Sequence, residues 1–167
     1  MKTILVVNDD GINSPGIRAA AEGAKDLGKV IVVAPAVQQS GVGRSMSLFT
    51  PVGISKVRMD RLEAYSIDGT PVDAVIVGMY GVLKRAPDLL ISGINIGENM
   101  SSEATTSGTV GAALEGASQG IPSIAISIQA SSEIKFEAVQ PEVDFSLAVR
   151  VLRGAATHVL REGLPAG

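Results

Sequence analysis

The 167-residue sequence predicts a doubly wound, mostly parallel α/β fold with helices on both faces of the sheet. Two observations predict it. Short runs rich in Val and Ile recur at 4–7, 30–34, 89–92 and 123–127, apolar throughout and not alternating, as strands buried on both faces are. Between and after them lie segments with helical spacing of apolar residues, at 17–27, 72–83, 110–119 and 143–160. Strand and helix therefore alternate along the chain, the order of a parallel sheet sandwiched between helices.

The first strand, ILVVN at 4–8, runs into two adjacent carboxylates, Asp9 and Asp10, and then into glycine. After the second strand come two weaker, alternating runs at 53–57 and 62–67, which read as an inserted antiparallel hairpin or flap. The helix over 110–119 follows a stretch rich in Thr, Ser and Gly, a helix-start signal. The last helix, over 143–160, lines up Phe145, Ala148, Val149, Leu152, Ala156 and Val159 on one face, which needs a sheet to cover. The run GLPAG at 163–167 reads as a helix stop and the start of a connection. No repeat, low-complexity tract or linker is visible, so 1–167 is read as one domain. A parallel sheet ending there has an open edge, and the expectation is a longer gene product that adds strands and subunit contacts.

A hydrophobic content of 46% is ample for a core. The net charge of -3 and the lack of a sustained Lys/Arg block exclude a surface built on nucleic-acid phosphates, so no polymer of nucleic acid is expected as a partner. There is no cysteine, which removes disulfides, thiolate nucleophiles and sulfur-ligated zinc. The single histidine, His158, falls among Arg150, Arg153 and Arg161 on the polar side of its helix and reads as solvated, outside any site. Residues 1–14 lack the apolar run of a signal peptide and no stretch approaches 18 apolar residues, so the chain reads as cytoplasmic with no membrane partner.

In a doubly wound fold ligands bind at the carboxyl ends of the strands, where the loops NDDGINSPG, PAVQQSGVGRS and GINIGENMSSEATTSGT converge. At the end of the first strand the chain turns, so Asp9 and Asp10 are able to reach one point. Two anions held together raise each other's pKa unless a cation sits between them, which points to a hard divalent ion, Mg²⁺ or Mn²⁺. The plainer reading has Asp10 cap a turn and Asp9 meet solvent. Ser40 and Asn95, on the other two rim loops, are neutral oxygen donors for the same ion, although both are also ordinary turn residues. Ser107 or a neighbouring threonine is able to cap the helix at 110–119, and Gly108 allows a ligand close to backbone N–H groups at the positive end of the helix dipole. That is a phosphate seat or, more plainly, an ordinary N-cap. Arg44, on the second rim loop, is within reach of a phosphate or is simply solvated. A divalent ion and an anion-binding helix end are together what phosphate transfer or hydrolysis needs.

Five segments, VVNDDGINSPGI at 6–17, VVAPAVQQSG at 32–41, SIDGTPVDAV at 66–75, DLLISGINIGENM at 88–100 and SGTVGAALEGASQGIPSIAIS at 107–127, resemble in order the SurE family. These are metal-dependent nucleoside monophosphate phosphatases. The resemblance implies one divalent ion per subunit, Mg²⁺ or Mn²⁺, on Asp9, Asp10, Ser40 and Asn95. It implies phosphate contacts from Ser107, Gly108 and Thr109, and catalysis by Asp9 and Asp10, with Asp9 either attacking directly or orienting water. The substrates implied are nucleoside 5′-monophosphates, with 3′-monophosphates and short polyphosphate as further candidates, and a homodimer or homotetramer is implied for the full-length form. Two departures stand out. Ala36 follows Pro35 where many members carry an acidic residue, and the family's C-terminal extension, used in subunit contacts, is expected to be missing from this chain.

Two other classes compete. A phosphoacceptor receiver domain also places an acidic pair after its first strand, but it needs an aspartate after the third strand and a lysine after the fifth. This chain offers Asn95 and the lysine-free SIAISIQA. A non-catalytic nucleotide sensor is the other, distinguished by the absence of repeated phosphate release.

Overall fold

A computed structural model describes residues 1–130 and 143–164. The strands are β1 (Thr3–Val7), β2 (Lys29–Pro35), β3 (Ile54–Met59), β4 (Leu62–Ile67), β5 (Leu89–Ile96) and β6 (Ser123–Ile128). They form one sheet in the order β3-β4-β2-β1-β5-β6, parallel except for the β3–β4 pair. The helices are α1 (Pro15–Ala24), α2 (Pro71–Ile76), α3 (Glu103–Thr106), α4 (Gly108–Ser118) and α5 (Ser146–Glu162), and α2 continues as a wider π-helical stretch over Val77–Leu83.

The continuous apolar runs are explained by burial on both sides. Ile4 and Val6 of β1, with Val32 and Ile91, meet Ala20 of α1 and Leu152 and Ala156 of α5. Leu5 and Val7, with Ile31 and Val33, meet Ala74 and Val75 of α2 and Ala112 of α4. Alternate side chains of one strand thus supply two cores. The face predicted for the last helix is the one that docks, with Ala148, Leu152, Ala156 and Val159 buried.

Several boundaries move for local reasons. α1 begins two residues earlier than its apolar spacing suggests, because Ser14 caps it and Pro15 takes the first helical position, where a missing N–H costs nothing. α5 starts at Ser146 instead of 143, since the Asp144 carboxylate accepts from Ser146 N (2.8 Å) and holds the chain outside the helix. The inserted hairpin is no flap: β4 pairs in parallel with β2 and extends the main sheet, with β3 at its edge. β6, expected to be buried on both faces, is mostly half-buried at the other end of the described sheet. Of the closing run, Gly163 does end α5, its φ of 76° being one that favours glycine, whereas 165–167 lie outside the described residues.

The largest difference is in β5. The sequence suggests a strand ending at Ser92 and a loop after it, but pairing with β6 resumes at Asn95↔Ser127 after a one-residue bulge. Gly93 makes this possible: its φ is 132°, and a Cβ there would lie 2.3 Å from the Ile126 carbonyl oxygen. Asn95 is therefore a residue of the sheet and not of a loop.

Candidate active site

β1 has β2 on one side and β5 on the other, so the direction of winding reverses between β1 and β5. A doubly wound sheet opens a crevice at that point, beyond the carboxyl ends of its strands. A cleft of about 260 Å³ lies there, its lining including Asp9, Gln38, Ser40, Asn95, Glu103 and Ser107.

Asp9 and Asp10 are presented by a turn that Asn8 closes. The Asn8 side chain donates to the Gly11 carbonyl (3.1 Å) and accepts from the Gly11 N–H (3.2 Å), and Gly11 itself has a φ of 96°. Asn8 is a residue sequence reasoning left inside the strand. Its signal was an asparagine at the strand end followed three residues later by glycine.

The two carboxylates lean on different neighbours. Asp9, only 4% exposed, accepts a hydrogen bond from the Thr109 hydroxyl on α4. Asp10 Oδ2 accepts from the Ile96 N–H of β5 at 3.0 Å. Burial raises the Asp9 carboxyl above its ordinary value, against the Thr109 hydroxyl and the amides of Thr109 and Gly108, which favour the anion. Burial likewise pushes Asp10 up to about 6, with the neighbouring Asp9 charge adding and the Ile96 N–H and Gln38 opposing. Neither the solvated Asp9 nor a simple turn-capping Asp10 describes this pair.

Asn95 donates its amide to the Gly97 carbonyl (2.7 Å), an arrangement that leaves Oδ1 as its donor atom toward a cation. Ser40 is exposed at the rim and its hydroxyl accepts from Gln38 Nε2 at 3.0 Å. On the far wall Ser107, and not a threonine, caps α4, its hydroxyl accepting from Val110 N at 3.1 Å. Gly108 and Thr109 lie buried behind it. A Cβ on Gly108 would stand 2.7 Å from Asp9 Cβ and 3.0 Å from Pro71 Cγ, so this glycine is required by the close packing of Asp9 on the helix end.

Asp9, Ser40, Asn95 and Ser107 thus share the cleft wall, Asp10 follows Asp9 in the turn after β1 and is hydrogen-bonded to β5, and Gly108 and Thr109 support Asp9 from within. Gln38 and Glu103 also line it and had no distinguishing sequence signal. Arg44 is exposed and does not line the cleft, and its guanidinium is bound to Glu115 of α4. His158 is exposed beside Glu162, outside the site.

The donors are two carboxylates, an amide oxygen and a hydroxyl, all hard oxygens, and among the described residues no cluster of three or more His, Cys, Asp or Glu offers an alternative. A divalent cation beside Asp9 and Asp10 would return both to the charged form that burial disfavours, so these residues fit Mg²⁺ or Mn²⁺.

Fold and site together define a doubly wound α/β protein with an oxygen-donor, acidic cleft at its switch point, backed by the N-terminus of a helix. The model of the family described as Survival protein SurE matches residues 4–166, and the chain belongs to that family. It is 54% identical over 165 residues to a protein named 5′-nucleotidase SurE from Archaeoglobus fulgidus, covering 98% of this chain and 63% of the relative. The protein of the same name from Methanococcoides burtonii is 51% identical over 167 residues, covering 98% and 64%. The crystal structure of the SurE protein from Aquifex aeolicus superposes with a TM-score of 0.81 at 43% identity, over 98% of this chain and 62% of that one. The chain thus spans somewhat under two thirds of the length of these relatives. No helix among the described residues is long and apolar enough to cross a membrane.

Proposed function

We propose that the cleft hydrolyses nucleoside 5′-monophosphates to nucleoside and phosphate, with 3′-monophosphates and short polyphosphate as further substrates. The observation that carries this reading is Asp9, a buried carboxylate that faces an oxygen-donor cleft and rests on the first turn of α4. The names of the relatives support the substrate class.

Phosphate monoester hydrolysis is very slow without a catalyst, so the site must stabilise much of the developing charge. Asp9, Asp10, Ser40 and Asn95 would hold one divalent ion, Mg²⁺ or Mn²⁺. Bound there, such an ion supplies Lewis acidity toward a phosphoryl oxygen and an acidified water. Asp9 stands at the reacting centre, as the nucleophile or as the group that orients water. Ser107 fixes the start of α4, and the backbone amides of Ser107, Gly108 and Thr109 carry the positive end of the helix dipole toward the phosphate oxygens. Residues 1–167 are read as one catalytic core domain, cytoplasmic, with a homodimer or homotetramer for the full-length form.

A panel of phosphomonoesters assayed with Mg²⁺, Mn²⁺ or a chelator tests this. Nucleoside monophosphates should release phosphate over many turnovers with metal and not with chelator. Asp9→Asn should lose at least about 100-fold in turnover, the upper scale for disturbing a metal's surroundings. Near-native turnover by this variant, or no phosphate release by the unaltered chain, overturns the reading.

A further inference from the structure

The donors expected around the ion are not equally anchored. Asn95 belongs to β5, inside the sheet, and Asp9 and Asp10 sit in a turn closed by Asn8, whereas Ser40 is carried by an exposed span between β2 and β3. That span crosses the cleft. At its near end Gln39 N donates to the Asp9 carbonyl (2.7 Å), and at its far end Gly43 N donates to the Thr106 carbonyl (2.8 Å), one residue before the cap of α4. Ser40 lies between these two bonds.

The far anchor is locked by side chains. Arg44 donates from Nε (3.0 Å) and from one terminal nitrogen (2.7 Å) to a single oxygen of Glu115, and the same nitrogen reaches Ser118 Oγ (2.8 Å). Glu115 is only 4% exposed, and its other oxygen accepts from Gln119 (2.9 Å), so its direction is fixed within α4. The backbone fits as closely: a Cβ on Gly111 would lie 2.4 Å from the Gly43 carbonyl oxygen. Arg44, Glu115, Ser118 and Gly111 all stand outside the cleft lining, although Thr106, which the anchor holds, belongs to it. The effect of this contact is to register the Ser40 span against the helix that carries Ser107 and Thr109.

We propose that Arg44 and Glu115 are positioning residues that clamp the 39–43 span across the cleft, so that Ser40 is held in register with Asp9 and with the start of α4. The inference rests on the reading of Ser40 as a metal donor. A surface ion pair between mobile side chains contributes little. This one has a buried, doubly held acceptor, and the residue it restrains is four positions from a cleft hydroxyl.

The test compares the unaltered chain with Arg44→Met, Arg44→Lys and the double variant Arg44→Met/Glu115→Gln, by amide hydrogen exchange, Mn²⁺ titration and phosphatase kinetics. Arg44→Met should speed exchange at Gln39 and Gly43 by at least about 10-fold and weaken Mn²⁺ binding about 10- to 100-fold, the scale seen when groups supporting a metal's ligands are removed. kcat should fall more than KM rises. Arg44→Lys, which keeps the charge but not the fork, should recover part of each loss. The double variant, which removes the uncompensated buried charge, should regain thermal stability without regaining Mn²⁺ affinity. Unchanged exchange at Gln39 and Gly43 in Arg44→Met overturns the clamp, with or without catalysis. Mn²⁺ affinity that returns together with stability in the double variant also overturns it. A chain with this exchange pattern that releases no phosphate overturns the proposed reaction and leaves the clamp standing.

Discussion

Thr109→Val probes the support of Asp9 more directly than any change in the cleft wall. Thr109 is fully buried and its hydroxyl donates to Asp9, itself only 4% exposed, so solvent has little access to replace a lost bond. Valine fills nearly the same volume, which keeps the cavity contribution small; what remains is the cost of stripping a buried carboxyl of a donor, about 1–3 kcal/mol. For a domain of this size that lowers Tm by about 2–4 °C per kcal/mol. The loss also favours the neutral acid, so Asp9 should become a poorer cation ligand, with Mn²⁺ affinity down about 10- to 100-fold. Urea denaturation and Mn²⁺ titration on the same samples read both effects, and Thr109→Ser, which keeps the hydroxyl, should restore most of each. If Thr109→Val keeps its Mn²⁺ affinity, the hydroxyl does not orient Asp9 and the support described for the site is wrong.

Gly108→Ala brings a methyl against Asp9 and Pro71 and should destabilise by about 1–3 kcal/mol, with metal affinity and phosphate binding both weakened; calorimetric titration showing a loss for phosphate alone would contradict the packing described. Asp73→Asn acts on the cap of α2. Burial alone would raise the Asp73 carboxyl, but hydrogen bonds from Thr70 and Ser47 outweigh it and hold it below its ordinary value of 3.8. A depressed acid contributes stability that is present above 3.8 and is lost as pH falls through its folded-state value. Unfolding free energies of the two proteins should therefore differ above pH 5 and converge in strong acid, whereas a constant difference would place the effect elsewhere.

The middle of the sheet was legible because β1, β2 and β5 are buried on both faces, and their apolar runs carry that signature without help from their neighbours; β6 carries the same kind of run although it is mostly half-buried. The acidic pair was legible because two carboxylates beside glycine at a strand end have few plain explanations. What escaped the sequence depends on partners far away in the chain. Asn95 looked like a loop residue because Gly93 and Gly97 flank it, yet the bulge at Gly93 is dictated by the Ile126 carbonyl on another strand. Glu115 and Arg44 are 71 positions apart, and the sole hint was one acidic residue in a helix otherwise made of small and apolar residues. Gly108 was legible as a glycine that something must approach closely. In the fold that something includes Asp9 itself, which spacing along the chain does not reveal.

The antiparallel strand β3 has a consequence for how copies of this chain meet. It closes one end of the sheet with a short strand whose Lys56 and Arg58 are exposed. Were two copies to join there edge to edge, these cations would be brought together across the new ladder, and like charges facing each other oppose pairing. This end of the sheet is therefore poorly suited to pairing with a second copy of itself. A Lys56→Thr/Arg58→Thr variant should aggregate at a lower concentration than the unaltered chain, as light scattering would show.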